Sequence, residues 1–509
     1  MKASPLFIPA LWEDDHFKVL DETLLPWKLE YIPVREVSRA LQAVKEMKTR
    51  AFGQVLTFLY SAALAAESSR EKDPLALRER LRQLAEEFSA ARPTFDFKGL
   101  ASFFPKWVDE FPAGEDPRRW VRDKALEMAS TIIGARERRA RLAAEILPGP
   151  CRLLTHCNVS GELVAVASWC EEMGKKLAIV ATETRPYLQG SRLTAWEISQ
   201  AGIEIELVPD CAVAQVMEKG KVDAVLVGTD RCAQNGDIIN KVGTYPIALM
   251  ARAYGIPFYA LVQDPGRLES GDDAVIEERP ASELFNWEGL SLTLEGLQGI
   301  RGRYPAFDVT PARLVSSLIG FDGVWTPEGF RARYQKKAPE PKAGKKEKER
   351  YLLLYGIPGR SAYSYLVQAL KGEEGAAVLV PEMRPEMWGV HVVGRELLER
   401  KIPTTLISDN MMGILFARDQ IRRLYLFYTG LSEKGVMGIC GSLLAVRLAR
   451  AHEVPIELLA AEENKEGPLD QDISTFLGRR VSPDGVTIYP VEREFLPWPL
   501  FRESSAGIS

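Results

Sequence analysis

Three loops between Leu153 and Tyr259 carry most of the residue types in this sequence that could do chemistry. They contain THCN, ETRPYLQGSR and GTDRCAQNGDIINK, and each follows an apolar run that predicts a buried strand. The carboxyl ends of parallel strands meet at one edge of a sheet, where ligands bind in open α/β proteins. We therefore expect a single crevice lined by the polar side chains of these loops: Cys157, Glu183, Arg185, Gln189, Asp230, Asn240 and Lys241.

Cys157 is the candidate nucleophile or base. It lies between His156 and Asn158 at the end of a predicted strand, where dipoles and neighbouring groups lower the pKa of a thiol. The alternative is that it is a small buried hydrophobic residue, which is the interpretation we favour for Cys170 and Cys211. His156 has two interpretations as well, since it could orient the thiol or be a structural histidine.

Asp230 is the candidate acid or base. It closes the apolar run VDAVLVGTD, and partial desolvation at that position would raise the pKa of its carboxyl and suit proton transfer. Two structural roles explain the residue equally well, namely an ion pair with Arg231 or the N-cap of a following helix. The sequence alone does not choose among them.

A segment with two glycines and one lysine follows Asp230. NGDIINKVGTY predicts a loop that enters a helix, with Asn240 and Lys241 close to two glycines, and such helix starts bind anions. The segment matches no nucleotide-binding motif. Arg50 and Arg92 are basic residues at predicted helix ends, for which exposure at the surface is the ordinary interpretation.

The composition excludes several classes of protein. The chain has 509 residues, which predicts two to four domains, and its net charge of −5 gives no basic face for nucleic acid. No apolar run has membrane-spanning length, and the acidic N-terminal segment does not resemble a signal peptide, so we expect a cytoplasmic protein. The six cysteines contain no CxxC pair, and the histidines lack companion ligands, so we predict no metal and no cofactor.

The order of patterns predicts an α/β protein of several parts. Residues 1–150 read as a short β segment followed by a mainly helical domain. Residues 151–332 alternate short apolar strands with helices, which predicts a Rossmann-like parallel sheet. Residues 333–349 are rich in Lys, Glu and Pro and predict a flexible linker. Residues 350–509 then return to an α/β pattern.

That last segment echoes the earlier one at a spacing of 199 residues. ETRP at 183–186 returns as EMRP at 382–385, and ARAYGIPFYAL returns as ARAHEVPIELL after a slip of one residue. Because internal repeats govern the fold, we predict a second, diverged copy of the Rossmann-like domain; the alternatives are a chance echo or a second working site. The copy keeps the apolar positions and loses the polar ones. At this spacing the replacements are Thr429 for Asp230, Ile439 for Asn240 and Cys440 for Lys241.

The long motifs of residues 10–332 resemble those of the S-methyl-5-thioribose-1-phosphate isomerases of methionine salvage. The shared stretches include VLDETLLPW, ARPT, LLTHCN, ETRPYLQGSRLTAWE, GTDRCAQNGDIINKVGTY and YPAFDVTP. This family shares a fold with ribose-1,5-bisphosphate isomerases and with regulatory subunits of the exchange factor for eukaryotic initiation factor 2. The resemblance implies a Rossmann-like fold and an enzyme.

The resemblance also implies roles for individual residues. The family's catalytic Cys and Asp correspond to Cys157 and Asp230, a pair that the regulatory relatives lack. Its substrate contacts correspond to Arg92, Gln189, Asn240 and Lys241. The family's phosphate-binding loop R-G-A-P-A-I-G corresponds to RAFGQVL here, beginning at Arg50.

The expected activity is the conversion of an aldose 1-phosphate into a ketose 1-phosphate, with methylthioribose 1-phosphate as the expected substrate. The Cys and Asp would move protons, by an enediolate or with a hydride shift. The alternatives are a ribose-1,5-bisphosphate-type isomerase, or a non-catalytic binding or regulatory protein. The expected partners are a small phosphorylated sugar and a second subunit in a homodimer, or the C-terminal copy in an intramolecular pseudo-dimer.

Overall fold

The computed structural model describes residues 3–69, 73–93, 95–112, 114–287, 290–291, 300–335, 349–371, 377–461 and 472–502. The chain divides into two compact units. The smaller contains Met1–Ile146, Val159–Gly174 and Trp196–Gly202, and the larger contains Leu147–Asn158, Lys175–Ala195 and Ile203–Ser509. Among the helices in these described ranges, none is long and apolar enough to cross a membrane.

The smaller unit begins with an antiparallel β-sheet and continues with helices, as the sequence predicted. The strands are β1 (Ala10–Glu13), β2 (His16–Leu20) and β3 (Tyr31–Val34). The helices are α1 (Val37–Lys45), α2 (Phe52–Glu67), α3 (Pro74–Ala91), α4 (Phe97–Leu100), α5 (Phe104–Asp109) and α6 (Pro117–Ile146).

Side-chain caps and aromatic packing explain these helices. The carboxylate of Asp73 accepts the Leu75 N–H at 3.2 Å and fixes the start of α3, ahead of a proline that suits the first helical position. The ring of Phe58 on α2 packs against those of Phe88 and Phe104, with centroids 5.1 and 5.4 Å apart. Buried apolar residues from each of these strands and helices pack together in one core.

The next part of the chain builds a mostly parallel sheet, the first sheet. The strands of this part are β4 (Cys151–Thr155), β5 (Leu177–Thr182), β6 (Ile205–Val208), β7 (Ala224–Val227), β8 (Arg231–Cys232), β9 (Ile238–Lys241), β10 (Phe258–Leu261), β11 (Asn286–Trp287), β12 (Leu290–Ser291), β13 (Arg301–Gly302), β14 (Phe307–Thr310), β15 (Ser317–Ile319) and β16 (Val324–Trp325). The helices are α7 (Glu162–Glu172), α8 (Ala195–Gln200), α9 (Val213–Glu218), α10 (Thr244–Ala253), α11 (Ser282–Phe285) and α12 (Pro327–Tyr334).

The last part of the chain builds the second sheet. The strands of this part of the chain are β17 (Tyr351–Tyr355), β18 (Ala377–Pro381), β19 (Thr404–Ile407), β20 (Ile421–Tyr428), β21 (Gly430–Ser432), β22 (Gly435–Gly438), β23 (Ile456–Ala460), β24 (Thr475–Phe476), β25 (Arg479–Arg480), β26 (Thr487–Ile488) and β27 (Glu494–Pro497). Its helices are α13 (Arg360–Lys371), α14 (Arg395–Glu399), α15 (Met412–Ala417), α16 (Ser442–Ala451) and α17 (Pro499–Arg502). Most of the predicted linker, residues 336–348, lies outside the described residues.

The two sheets share one strand order. The first contains the run β10-β7-β4-β5-β6 and the second the run β23-β20-β17-β18-β19, and within each run all pairs are parallel. Beside them, the antiparallel group β8-β9-β14 matches the group β21-β22-β27. The fold class predicted from the alternation of strands and helices is therefore confirmed, because both long α/β segments form parallel sheets.

Each sheet is completed by a strand from the other part of the chain. β26 pairs with β6 in the first sheet, and β13 pairs with β19 in the second. The exchange extends past the paired residues, since the Tyr489 N–H donates to the Leu207 carbonyl at 2.9 Å and the Arg303 N–H to the Leu406 carbonyl at 3.1 Å. Both sheets also share one continuous apolar core. The division into four parts stays a prediction. The larger compact unit contains both sheets, so compactness does not separate them into two domains.

Candidate active site

Cys157 follows the carboxyl end of β4 and has a left-handed backbone, with φ of +66°. Two threonines hold it there. Its N–H donates to Thr184 Oγ1 at 2.9 Å, and its carbonyl accepts the hydroxyl of Thr194 at 2.6 Å. The side chain is half-buried, so the thiol is neither sealed in the core nor fully in water.

The second sheet has a glycine at the matching position. Gly356 follows β17 with φ of +96°, so the turn after this strand has the same left-handed form in both sheets. Left-handed backbone costs a non-glycine residue about 1–3 kcal/mol and is found mostly where function requires it. The first sheet therefore carries a cysteine where glycine is the more stable choice, which favours a chemical role for the thiol.

His156 is a structural residue rather than a partner of the thiol. It is buried, and its Nε2 donates to the Val242 carbonyl at 2.8 Å, while Nδ1 lies 2.6 Å from the Thr182 hydroxyl and accepts from it. Burial lowers the pKa of this imidazole to about 4, so the ring is neutral. At the matching position, Tyr355 donates its hydroxyl to the Cys440 carbonyl at 2.9 Å. Of the two interpretations from sequence, the structure favours the second.

Asp230 follows β7, the neighbour of β4 in the first sheet. Its N–H donates to the Ile239 carbonyl at 3.0 Å, and its carbonyl accepts Nε2 of Gln263 at 2.8 Å. The partial burial expected of its carboxyl is wrong, because the residue is exposed where the strand ends. The helix N-cap alternative is also wrong, since β8 follows directly.

Asn240 and Lys241 are buried on β9, which the Asp230 N–H contacts. The amide of Asn240 donates to Thr244 Oγ1 at 3.0 Å. The ammonium of Lys241 lies 4.7 Å from the centre of the Phe307 ring, a cation–π distance. The predicted loop before the helix thus contains the strand β9.

Asp308 is a site residue that sequence reasoning did not single out. Its Oδ2 accepts the N–H groups of Gly243 and Tyr245 at 2.7 and 3.1 Å, so a carboxylate already occupies the start of α10, where we expected an anion site. Burial raises the pKa of Asp308 to about 7. Its Oδ1 is buried and has no hydrogen-bond partner among the described residues. An acidic residue inside the apolar strand FDVT was the available signal.

Gln189 lies in the loop after β5 and is buried. Its Oε1 has no hydrogen-bond partner in the part of the chain that the structure describes. Buried polar atoms are nearly always paired, so an unpaired one is a reason to look for a ligand. The position of Gln189 fits the contact that the resemblance implies.

Glu183 and Arg185, in the same loop, do not serve the expected crevice. Arg185 forms a two-pronged ion pair with Glu382, with both distances 2.9 Å, and Glu183 pairs with Arg384 at 3.1 Å. All four side chains are buried, and burial raises the pKa of Glu183. Including these two among the crevice residues was wrong, because they connect the first sheet to the second.

Arg50 and Arg92 belong to the smaller unit. The Arg50 N–H donates to Glu22 Oε1 at 2.9 Å, and the guanidinium of Arg92, at the end of α3, contacts the sulfur of Met47, three positions before Arg50. The structure thus places Arg92 next to the loop that begins at Arg50. In that loop Ala51 has φ of +40°, and the N–H groups of Gly53 and Gln54 donate to carbonyls of the loop itself.

The topology brings together the candidates of the larger unit. Asp230, Cys157 and Gln189 follow β7, β4 and β5, which are neighbours in that order, and Asn240 and Lys241 lie on β9. Two surface cavities of about 380 and 370 Å³ are lined by other residues, those around Pro455 and Pro257. Within the described residues, no group of three His, Cys, Asp or Glu side chains could hold a metal ion.

Comparison with known proteins gives consistent relatives. The sequence model described as the initiation factor 2 subunit family matches residues 51–327 and 344–474. A methylthioribose-1-phosphate isomerase of Desulforudis audaxviator is 37% identical over 333 residues, which cover 62% of this chain and 93% of the relative. The isomerase of the same name from Thermotoga neapolitana is 34% identical over 329 residues, 62% of this chain and 94% of the relative.

Two solved structures are similar to parts of this chain. The 5-methylthioribose 1-phosphate isomerase of Pyrococcus horikoshii has a TM-score of 0.58 and 31% identity, covering 64% of this chain and 94% of its own. The subunit delta of the translation initiation factor eIF-2B from A. fulgidus has a TM-score of 0.54 and 33% identity, covering 63% and 96%.

Proposed function

This chain belongs to the initiation factor 2 subunit family, and we propose that within it the chain is an isomerase that converts S-methyl-5-thioribose 1-phosphate into S-methyl-5-thioribulose 1-phosphate. The relatives named for this activity align over most of their own length, and the family model matches the residues that include Cys157 and Asp230. The observation that carries the proposal is the left-handed Cys157, at a turn where the second sheet has Gly356.

The chemistry requires two proton-transfer groups. A phosphate on the C1 oxygen keeps the sugar closed, so a general acid must protonate the ring oxygen as the C1–O bond breaks. A base removes the C2 proton, and that electron pair forms the C1=C2 bond of an enediol. Deprotonation of the C2 hydroxyl and protonation of C1 then give the ketone. Both groups return to their starting state, so no cofactor is consumed.

Cys157 and Asp230 fit these two tasks. In the proposal the Cys157 thiolate takes the C2 proton and returns it to C1, while the Asp230 carboxyl serves the ring oxygen and the C2 hydroxyl. A hydride shift from C2 to C1 is the alternative route, with Asp230 taking the hydroxyl proton. Arg50, Arg92, Gln189, Asn240 and Lys241 are the proposed substrate contacts, because cationic side chains suit a phosphate and amide side chains suit hydroxyl groups.

Turnover by the natural chain and two variants tests this proposal. Cys157→Ser and Asp230→Asn should each lower kcat for methylthioribose 1-phosphate by about 10²–10⁴-fold, the usual contribution of a placed proton-transfer group. Asp123→Asn, on an exposed part of α6, is the control and should keep full activity. Product formed in D2O should carry deuterium at C1 by the enediol route to the extent that the Cys157 thiol exchanges its proton with solvent before C1 is protonated, and a hydride shift should give none. If both site variants match the natural chain, the assignment of the pair is wrong.

Two other functions make different predictions. A ribose-1,5-bisphosphate-type isomerase would turn over that sugar in preference. A non-catalytic binding protein, as in the initiation factor relatives, is favoured by the loop at Arg50, whose N–H groups at Gly53 and Gln54 already donate to Arg50 and Ala51. Calorimetric binding of the sugar phosphates without turnover by the natural chain would favour that function.

We also propose that the segment 350–509 is a diverged copy that takes the place of a partner subunit. The shared strand order and the exchange of β13 and β26 support this. The matching positions slip by one residue in the β21–β22 hairpin, because the Thr429 N–H donates to Met437 whereas that of Asp230 donates to Ile239. Gly438 and Ile439 therefore stand in place of Asn240 and Lys241, which corrects the fixed spacing of 199. The copy still lacks both polar side chains.

A further inference from the structure

One side chain of the second sheet reaches across to the loops of the first. Asn410 follows β19 and is 2% exposed. Its Oδ1 accepts the Ser408 hydroxyl at 2.7 Å, and its Nδ2 donates both to the Arg185 carbonyl and to Asp210 Oδ2, each at 2.9 Å. The amide is thus fully used, and its two donated hydrogen bonds end on the first-sheet side.

These hydrogen bonds continue to Cys157 in two steps. Asp210 accepts the N–H groups of Thr184 and Arg185 at 2.9 and 2.7 Å. The hydroxyl oxygen of Thr184 then accepts the Cys157 N–H at 2.9 Å. Asn410 therefore supports the carboxylate that fixes the backbone of the residue that holds Cys157.

Asn410 also limits the segment that carries the candidate anion contacts. A Cβ added at Gly243 would lie 2.9 Å from the Asn410 Cβ and 2.8 Å from the His156 ring. The backbone just after Lys241 is therefore packed between a residue of the second sheet and the residue before Cys157. One amide side chain contacts both parts of the candidate site.

The equivalent contacts that support the loop of the second sheet are weaker. Asp409 accepts the N–H groups of Met383 and Arg384 at 3.0 and 2.9 Å, just as Asp210 does for its own loop. The residue in the place of Asn410 is Cys211, whose thiol lies 3.4 Å from the Arg384 carbonyl. In the place of Thr184 is Met383, whose side chain has no oxygen to accept an N–H. The Asn410 amide and the Thr184 hydroxyl therefore both support the loop of Cys157, and the equivalent loop of the second sheet has neither group.

We infer that Asn410 is a positioning residue for the reaction, through which the second sheet holds the Cys157 loop in its left-handed form. The inference rests on the proposed function, in which Cys157 takes the C2 proton. It also gives the second sheet a task in catalysis although it lacks the Cys and Asp pair. A displacement of about 1 Å at a reacting group costs on the order of 10²-fold in rate, so a support two residues removed from the thiol is enough to matter.

The full-length chain with Asn410→Ala tests this inference, and Cys211→Ala is the matched control at the equivalent buried position. Asn410→Ala should make the Cys157 amide exchange with deuterium about tenfold faster, because its acceptor is no longer fixed. It should also lower kcat about 10- to 100-fold with little change in KM. Cys211→Ala should leave both quantities within about twofold of the natural chain.

Two further comparisons separate a failure of this inference from a failure of the proposed function. Thr184→Val removes the acceptor of the Cys157 N–H from the first-sheet side, and its effect should not multiply with that of Asn410→Ala, since both act on one chain of contacts. Should the natural chain turn over no sugar phosphate, the proposed function fails while amide exchange still tests the inference. Equal exchange at Cys157 in Asn410→Ala and Cys211→Ala would overturn it, as would fully multiplicative effects with Thr184→Val.

Discussion

At the scale of single residues, the clearest sign of function is a cost that the chain accepts. Cys157 occupies a backbone conformation that favours glycine, and the equivalent turn of the second sheet does contain glycine. Hydrogen bonds to Thr184 and from Thr194 hold the cysteine in place. A cysteine retained against this preference, where the second sheet has glycine, is a reason to propose a chemical role for its thiol.

Replacing Cys157 by glycine should separate stability from activity. Cys157→Gly should raise the free energy of unfolding by about 1 kcal/mol, because relief of the left-handed backbone exceeds the entropy cost of glycine, while turnover is lost. Cys157→Ser should lose turnover without the gain in stability. Chemical denaturation of the three proteins measures the difference. A Cys157→Gly protein no more stable than Cys157→Ser would contradict the strain argument.

Asp308 should make stability depend on pH. Its pKa is raised by burial to about 7, whereas a carboxyl in an unfolded chain titrates near pH 4, with about 4 as the reference value. The folded state therefore binds the proton more tightly, and this contribution to stability is present below about pH 4 and is lost as the pH rises through about 7.

The variant Asp308→Asn removes that titration and keeps an acceptor for the N–H groups of Gly243 and Tyr245. Relative to the natural chain, it should gain stability from about pH 4 to about pH 7, by at most about 4 kcal/mol, and then level off. Unfolding curves across this range measure the difference. A constant difference at every pH would show that Asp308 does not titrate in this window.

At the scale of elements, the loops after β5 and β18 exchange ion pairs. Arg185 of the first loop pairs with Glu382 of the second, and Arg384 of the second pairs with Glu183 of the first. A buried ion pair adds little over an apolar contact, but one partner left alone is a buried, uncompensated charge.

Replacing one partner of a buried pair should therefore cost more stability than replacing both partners. Arg185→Met should destabilise the protein by about 3–5 kcal/mol, and adding Glu382→Leu should recover most of that loss. Asp223→Asn, which breaks the exposed pair with Arg152, should cost no more than about 1 kcal/mol. Denaturation midpoints give all three values. If the double variant were as unstable as Arg185→Met, the buried charge would not be the cause.

Local patterns predicted the elements well because their causes are local. The apolar runs at β4, β5 and β7 and the capping pair Asp73–Pro74 depend on neighbouring residues alone. The partner of Arg185 is 197 residues away, and no local pattern encodes such a pairing. For the same reason the sequence placed Glu183 and Arg185 in the crevice.

The candidate site was predicted only in part. The order of the strands brings the loops of Cys157, Gln189 and Asp230 to one edge, which the alternation of strands and helices made foreseeable. Asp308 and Asn410 were missed, since each acts through contacts made by distant segments. The exposure of Asp230 also depends on the length of the strand before it, and sequence patterns fix strand ends poorly.

At the scale of the whole molecule, the second sheet is the proposed substitute for a partner subunit. The reciprocal ion pairs, the exchanged strands and the shared apolar core are features expected of a two-fold interface. Here they lie within one chain.

Sedimentation should distinguish an intramolecular pseudo-dimer from a homodimer. The full chain should sediment as a monomer, because the surface that would bind a partner is already covered. A chain ending at Arg333 should associate or lose solubility, since it exposes apolar residues of the first sheet's core, such as Val213 and Leu249. Ultracentrifugation of both measures this. A truncated chain that stays monomeric and soluble would refute the pseudo-dimer.

The strand β26 has a consequence for how the protein is made. Translation reaches residues 487–488 long after residues 205–208, so β6 emerges from the ribosome long before its neighbour exists. Until then its hydrogen-bonding edge is open to strands of other nascent chains. Biogenesis of this protein should therefore depend on slow expression or on chaperones that shield that edge.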